Sequence, residues 1–260
     1  MYRAYAIRLK TTRKQSETLN RLLAQLCELY NMALQQRRDV WRSHQKGITL
    51  KEQDHQLTDL RSGCDEYWEF PRSIQRSTLK RIDLAFQGMF RRIRSGEAPG
   101  YPRFKPLSQF NSFDVDLESM MVFGKSISIT KIGTIKFKTR CKIKGNAKMV
   151  RISRCGGRWN ARLICDIGDA PEKKSIGSVV GIDLGVSSLV TLSNGADIPN
   201  PRWERKFEGQ VAAAVGRLKT KKKGSKNRSK AVEAVRSVHR RISGHRREYL
   251  HSISSSLVRD

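Results

Sequence analysis

Acidic residues are scarce in this chain: 24 Asp and Glu stand against 52 Lys and Arg in 260 residues, for a formal charge of +28. Solubility needs far less, so the imbalance calls for a polyanionic partner. Long apolar runs are missing as well. The longest charge-free run, Leu184 to Ala196, contains Ser and Asn and is shorter than the roughly 18 apolar residues of a spanning helix, so no transmembrane segment is expected. The opening Met1-Tyr2-Arg3-Ala4-Tyr5-Ala6-Ile7-Arg8 carries charges where a secretory signal needs an apolar core, which points to cytoplasm or nucleoid. The five cysteines, Cys27, Cys64, Cys141, Cys155 and Cys165, never fall in a Cys-x-x-Cys spacing. Neither a disulfide framework nor a zinc site can be built from them, and they are expected as small buried hydrophobes. Apolar residues make up 38% of the chain, enough for a core, which excludes disorder of the whole chain.

Against these absences stand clear periodicities. Tyr5, Ile7 and Leu9 alternate with Arg8 and Lys10, the period of a half-buried strand. From Gln15 to about Arg42 the apolar spacing changes to three and four (Leu19, Leu22, Leu23, Leu26, Cys27, Tyr30, Ala33, Leu34), which predicts one long amphipathic helix with Ser16 as its N-cap. A second helix is expected over Thr49 to Arg61. A third, Ser73 to Arg94, has an inward stripe of Ile74, Leu79, Ile82, Phe86, Met89, Phe90 and Ile93, with arginines and lysines over the rest. Pro99, Pro102 and Pro106 forbid a helix and make 99–110 a stiff connector. From Phe110 to about Ile167 the texture is β, with strands at 126–129, 134–138 and 159–165 and turns at Gly133, Gly145 and Gly156-Gly157. The helical block thus interrupts a small barrel or curled sheet that includes residues 2–9.

The run Ser178-Val179-Val180-Gly181-Ile182-Asp183-Leu184-Gly185-Val186 reads as an apolar strand, followed by a second strand at 188–192 and an Asn194-Gly195 hairpin turn. Asp183 has apolar neighbours, where an ionised carboxylate needs compensation. A divalent metal would supply it, and two-metal nucleases use strand-borne carboxylates in this way. A carboxylate satisfied by backbone amides is the plain alternative. Further on, Phe207, Val211, Val215 and Leu218, then Ala231, Val235, Val238, Ile242, Tyr249, Ile253 and Leu257, form two helical stripes around the tip Lys221-Lys222-Lys223-Gly224-Ser225-Lys226-Asn227-Arg228. The result is a basic helical hairpin that can lie along phosphates. His239, His245 and His251 do not share a helix face and are expected to be surface or phosphate-facing groups.

With these pieces in place the chain resembles the TnpB/OrfB proteins of bacterial insertion sequences, RNA-guided DNA nucleases related to type V CRISPR effectors. The likeness rests on Tyr5 to Leu9, Gly100-Tyr101-Pro102-Arg103-Phe104-Lys105, Gly181-Ile182-Asp183-Leu184-Gly185-Val186, the Lys222 to Arg228 tip and the His251 to Val258 helix end, in that order. It implies an α+β multidomain fold: a wedge-like β-barrel domain over 1–11 and 111–172, an inserted helical recognition domain over 12–98, the Pro-rich connector, and over 176–260 the first part of an RNase H-like (RuvC) nuclease domain. It implies a guide RNA and a double-stranded target DNA as partners, in a monomeric bacterial ribonucleoprotein. Asp183 would be the first catalytic carboxylate and a Mg2+ ligand. Lys221, Lys222, Lys223, Lys226, Arg228, Arg240, Arg241, Arg103 and Lys105 would contact nucleic-acid backbone, and Gln75, Lys80 and Asn111 would read a short motif beside the target.

The family's later catalytic Glu, zinc ribbon and last Asp have no counterpart before Asp260, so the chain is expected to be a naturally truncated product, an artificially ended stretch or part of a longer protein, and not to cut DNA alone. A cleavage-deficient RNA-guided repressor or transposition regulator is the alternative.

Overall fold

The structure is a computed structural model that describes residues 1–139, 141–169 and 179–259. The expected domain limits at 172 and 176, and with them Ser178 and Asp260, lie outside the described residues. Two compact units divide the chain, residues 1–170 and 171–260.

The first unit is built on β1 (Tyr2–Lys10), whose side chains alternate as the sequence requires, with Tyr5, Ile7 and Leu9 buried. Three helices follow: α1 (Arg13–His44), α2 (Leu50–Gly63) and α3 (Arg72–Arg94). The N-cap of α1 is Thr12, not Ser16. Thr12 Oγ1 accepts from the Gln15 amide while Gln15 Oε1 accepts from the Thr12 amide, a reciprocal box that Ser16 cannot make from one turn inside the helix. Thr49 and Glu52 cap α2 in the same way. Along α3 the inward stripe runs through Ile74, Leu79, Ile82, Phe86 and Met89, but Phe90 and Ile93, expected inward, are about half exposed.

The chain then returns to strands: β2 (Ser112–Asp116), β3 (Met120–Phe123), β4 (Ser126–Ile129), β5 (Gly133–Lys138), β6 (Asn146–Cys155) and β7 (Arg158–Asp166). With β1 they form one antiparallel sheet in the order β2-β6-β7-β1-β5-β4-β3. The helices are therefore inserted between a central strand and the rest of its sheet. Since β2 and β3 are edges, the sheet curls as a half-barrel and does not close, which corrects the expected barrel. The β texture over 110–167 holds, but β2, β3 and β6 are not separately marked in the sequence; in β6, Lys148, Arg151 and Arg154 dilute the apolar pattern. The register of β6 puts Arg151 opposite Asp114 of β2, and the guanidinium grips that largely buried carboxylate with two bonds of 2.6 and 2.9 Å. Gly145 precedes β6 at φ 82°, and a Cβ there would lie 2.1 Å from the Asp166 carbonyl oxygen, so only glycine fits.

A single core joins the two layers, with Leu19, Leu22, Leu26 and Leu34 of α1 and Ile74, Leu79 and Ile82 of α3 clustered with Phe113, Ile127, Ile135, Ile152 and Leu163 of the sheet. Only Cys27 and Cys165 are buried, whereas Cys64 is half-buried and Cys141 and Cys155 are exposed, so the uniform expectation for the cysteines fails.

In the second unit a three-stranded sheet, β8 (Ile182–Asp183), β9 (Ser188–Leu192) and β10 (Asp197–Pro199), precedes α4 (Trp203–Lys219) and α5 (Lys226–Arg259). No described helix is long and apolar enough to cross a membrane.

Candidate functional site

The small sheet orders β10-β9-β8 and turns between β9 and β10 at Asn194-Gly195, where Gly195 has φ 85° and the Leu192 amide donates to the Ala196 carbonyl at 2.9 Å. Strand β8 is an edge, held by the Asp183–Thr191 pairing and by the Gly181 amide donating to Ser193 Oγ at 2.9 Å. At Gly185 a Cβ would lie 2.9 Å from the Ser188 carbonyl oxygen, so glycine is needed where the chain leaves β8.

Asp183 is exposed, and so are its neighbours Ile182 (54%), Leu184 (75%) and Val186 (81%). The expected desolvation of this carboxylate is therefore overturned. Two residues of edge strand leave the apolar side chains of 182–186 open to water.

Registered partners project to one face, so Asp183, Thr191 and Asp197 stand in a row across β8, β9 and β10. Two strand spacings separate the carboxylates by about 10 Å, beyond the roughly 3.5 to 4 Å between the ions of a two-metal site. Asp197 is also committed elsewhere. It accepts from Ser188 Oγ and Thr191 Oγ1, both at 2.5 Å, and these bonds hold its carboxyl below the usual range. Among the described residues no three His, Cys, Asp or Glu side chains gather to hold an ion. One exposed carboxylate does not make a divalent-metal site.

The α4–α5 hairpin has a half-buried stripe with Ala214, Ile242 and Ile253 at its centre. His245 is not a free surface group. It stacks between Trp203, 4.8 Å centroid to centroid, and Phe207, at 5.5 Å. The Tyr249 hydroxyl donates to the Pro199 carbonyl at 2.8 Å and ties α5 to the end of β10.

At the tip Lys221, Lys222, Lys223 and Lys226 are exposed, as a phosphate-tracking element requires. Arg228 is engaged differently. Its guanidinium donates to the Lys221 and Leu218 carbonyls at 3.1 and 3.4 Å and closes the turn. Arg240 pairs with Glu233 at 2.7 Å, while Arg241 donates to Gln210 at 3.0 Å and covers the Phe207 ring.

Replacing the four tip lysines by Gln is expected to weaken binding to nucleic acid by tenfold or more near 0.1 M salt, and to flatten the log-affinity against log-salt slope by about 0.9 for each phosphate that is no longer neutralised. Arg228→Gln is expected to lower the melting temperature instead. Titrations at four salt concentrations with parallel melts separate the two effects.

In the first unit the three motif-reading candidates fall apart. Gln75 is 0% exposed, so it has no access to a base edge. Its Oε1 accepts from Arg61, and its Nε2 donates to Gln25 and to the Tyr67 carbonyl, each at 2.9 Å. Lys80 and Asn111 are exposed. Arg103 is exposed on the connector. Lys105 is half-buried with its ammonium 4.7 Å from the Tyr30 ring centroid, and burial, aided by the Arg81 charge, lowers its pKa.

The sequence reading missed an open cleft of about 330 Å³ lined by Arg8, Lys10, Lys138, Arg158 and Trp159, with no carboxylate in its wall. Sheet register puts Arg8 opposite Lys138 and Lys10 opposite Lys136. Like charges directly across a ladder repel, and a bound polyanion relieves that repulsion. The alternation in β1 already marks Arg8 and Lys10 as outward, but their pairing with β5 cannot be read from the sequence.

Known proteins are similar to this chain. Residues 162–260 match the OrfB/IS605 profile described as "Probable transposase", and residues 1–46 match the "Helix-turn-helix domain" of the same family. In this structure residues 1–46 hold a strand and one continuous helix, without a turn between two helices. A Streptomyces pristinaespiralis protein provisionally named RNA-guided DNA endonuclease is 30% identical over 99% of this chain and 64% of its own length. The Escherichia coli K12 protein InsQ, with the same provisional name, is 24% identical over 95% of this chain and 61% of its own. The chain thus spans a little under two thirds of the length of these relatives. A cryo-EM structure of a Cas12f1–sgRNA–target DNA complex superposes with a TM-score of 0.55 at 13% identity, covering 94% of this chain and 62% of that one.

Proposed function

The chain belongs to the TnpB/OrfB family, and from that premise we propose that it is the nucleic-acid-binding part, with the first catalytic carboxylate, of an RNA-guided DNA endonuclease encoded by a transposable element. The observation that carries this reading is the similarity to a relative of that name along 99% of the chain. The basic cleft, the exposed lysine tip and the charge of +28 support it, since all three suit phosphate backbones.

In this reading residues 1–11 and 111–172 are a wedge-like domain, 12–98 a helical recognition domain, 99–110 a connector and 176–260 the start of a RuvC-like domain. The partners are a guide RNA and a double-stranded target beside a short motif, held by a monomeric ribonucleoprotein. Of the motif readers, exposed Lys80 and Asn111 remain. Mg2+ would reach Asp183 together with carboxylates that other residues supply. The rival reading is an RNA-guided DNA-binding regulator without cleavage.

The test is the RNA that purifies with the protein. Sequencing is expected to show enrichment of transcripts from the end of its own element. Equal retention of any RNA of matched length overturns the guide reading.

A further inference from the structure

The connector carries more than its positive charges. Three prolines keep 99–106 extended, and Asn31 of α1 fixes Lys105 from both sides, donating to its carbonyl and accepting from its amide, each at 2.9 Å. The Cys27 thiol donates to the same carbonyl at 3.2 Å. This clamp holds Tyr101 and Phe104 against the helices. The Tyr101 ring meets Phe86 edge-on at 5.4 Å, and Phe86 in turn meets Phe90 at 6.2 Å. The Arg38 guanidinium lies over both connector rings, 5.5 Å from Tyr101 and 5.1 Å from Phe104. Yet much of this aromatic surface stays open: Tyr101 is 42%, Phe104 43% and Phe90 50% exposed.

If the rings served only to pin the connector, they would be expected to bury more of their faces. Exposed apolar faces edged by cations and held in one geometry mark a binding surface. The local charge says for what. Burial raises the pKa of the Tyr101 hydroxyl, and the nearby charges of Arg38, Arg37 and Arg42 act against that rise. Arg37 is neutralised by Asp83, but Arg38 and Arg42 pair with no carboxylate among the described residues. Flat rings beside uncompensated guanidinium groups complement an unpaired nucleobase and its phosphate, because every base has a π-face and the phosphate supplies the anion.

We propose that Tyr101, Phe104 and Arg38 form a stacking platform for an unpaired nucleobase of a single strand, RNA or DNA. The inference rests on the nucleic-acid reading above and adds a site to it. Duplex ends do not suit the platform as well, since their bases already stack on one another.

The experiment compares the intact chain on single-stranded RNA, single-stranded DNA and a duplex, each also made with abasic positions that keep the phosphates and remove the bases. Wild type is expected to bind intact single strands about tenfold or more tightly than abasic ones. The variant Y101L/F104L is expected to lose that preference and bind both kinds alike, while Tyr101→Phe keeps it. The larger difference between intact and abasic strands, RNA against DNA, names the strand.

If wild type binds intact and abasic strands equally, the platform is overturned without recourse to any variant, as it would be if the rings held only the connector or a protein partner. If the leucine variant keeps the preference, the assignment to these rings is overturned. If wild type binds no nucleic acid at all, the underlying reading fails instead.

Discussion

Asp183→Ala, introduced into a protein of the full length of the curated relatives, is expected to lower Mg-dependent DNA cleavage by about a thousandfold or more while leaving RNA and DNA affinity and the melting temperature unchanged. The structure makes the second half of that outcome specific. Asp183 is exposed at the edge of a three-stranded sheet, and its side chain makes no hydrogen bond or ion pair among the described residues. Removing such a group changes stability by about 0.5 kcal/mol at most. A carboxylate that braced the fold would behave otherwise, as Asp197 does between the Ser188 and Thr191 hydroxyls. Parallel cleavage, binding and melting measurements decide. Undiminished cleavage by the variant rejects a catalytic role. Wild type that binds guide and target but does not cut supports the regulator reading.

How much of this was legible beforehand depends on the range of the forces involved. Local periodicity gave the strand at Tyr5 to Leu9, the long helix, the break at the prolines and the Asn194-Gly195 turn, because each is decided by neighbours a few residues apart. The insertion of the helices into the sheet could be guessed, but not that β1 sits between β5 and β7, since pairing partners more than a hundred residues away leave no local mark. At the candidate site polarity does not mean exposure, nor apolarity burial. Gln75 looked like a base reader and is buried. Ile182 and Leu184 looked buried and are exposed. Lys105, half-buried, lays its ammonium over Tyr30.

Gln75 gives the second large effect. The Arg61 guanidinium donates to the Tyr67 and Phe70 carbonyls and to Gln75 Oε1, and burial pulls its pKa below the ordinary value. Gln75 Nε2 completes the network toward Tyr67 and Gln25. Gln75→Leu keeps the approximate volume but leaves a buried cation and a buried carbonyl short of partners, which is expected to cost about 3 kcal/mol. In a unit of this size that lowers the melting temperature by about 6 to 12 °C. Gln75→Glu, which offers Arg61 a charged acceptor, should recover part of the loss. Well below its melting temperature Gln75→Leu should discriminate among target-adjacent motifs as wild type does, because the side chain never reaches the surface. Exposed Lys80 and Asn111 give the opposite pattern if they read the motif: alanine at either position leaves the melt within about 0.5 kcal/mol and weakens discrimination. A Gln75→Leu protein that melts like wild type but loses motif preference would mean that this glutamine leaves the core to meet DNA.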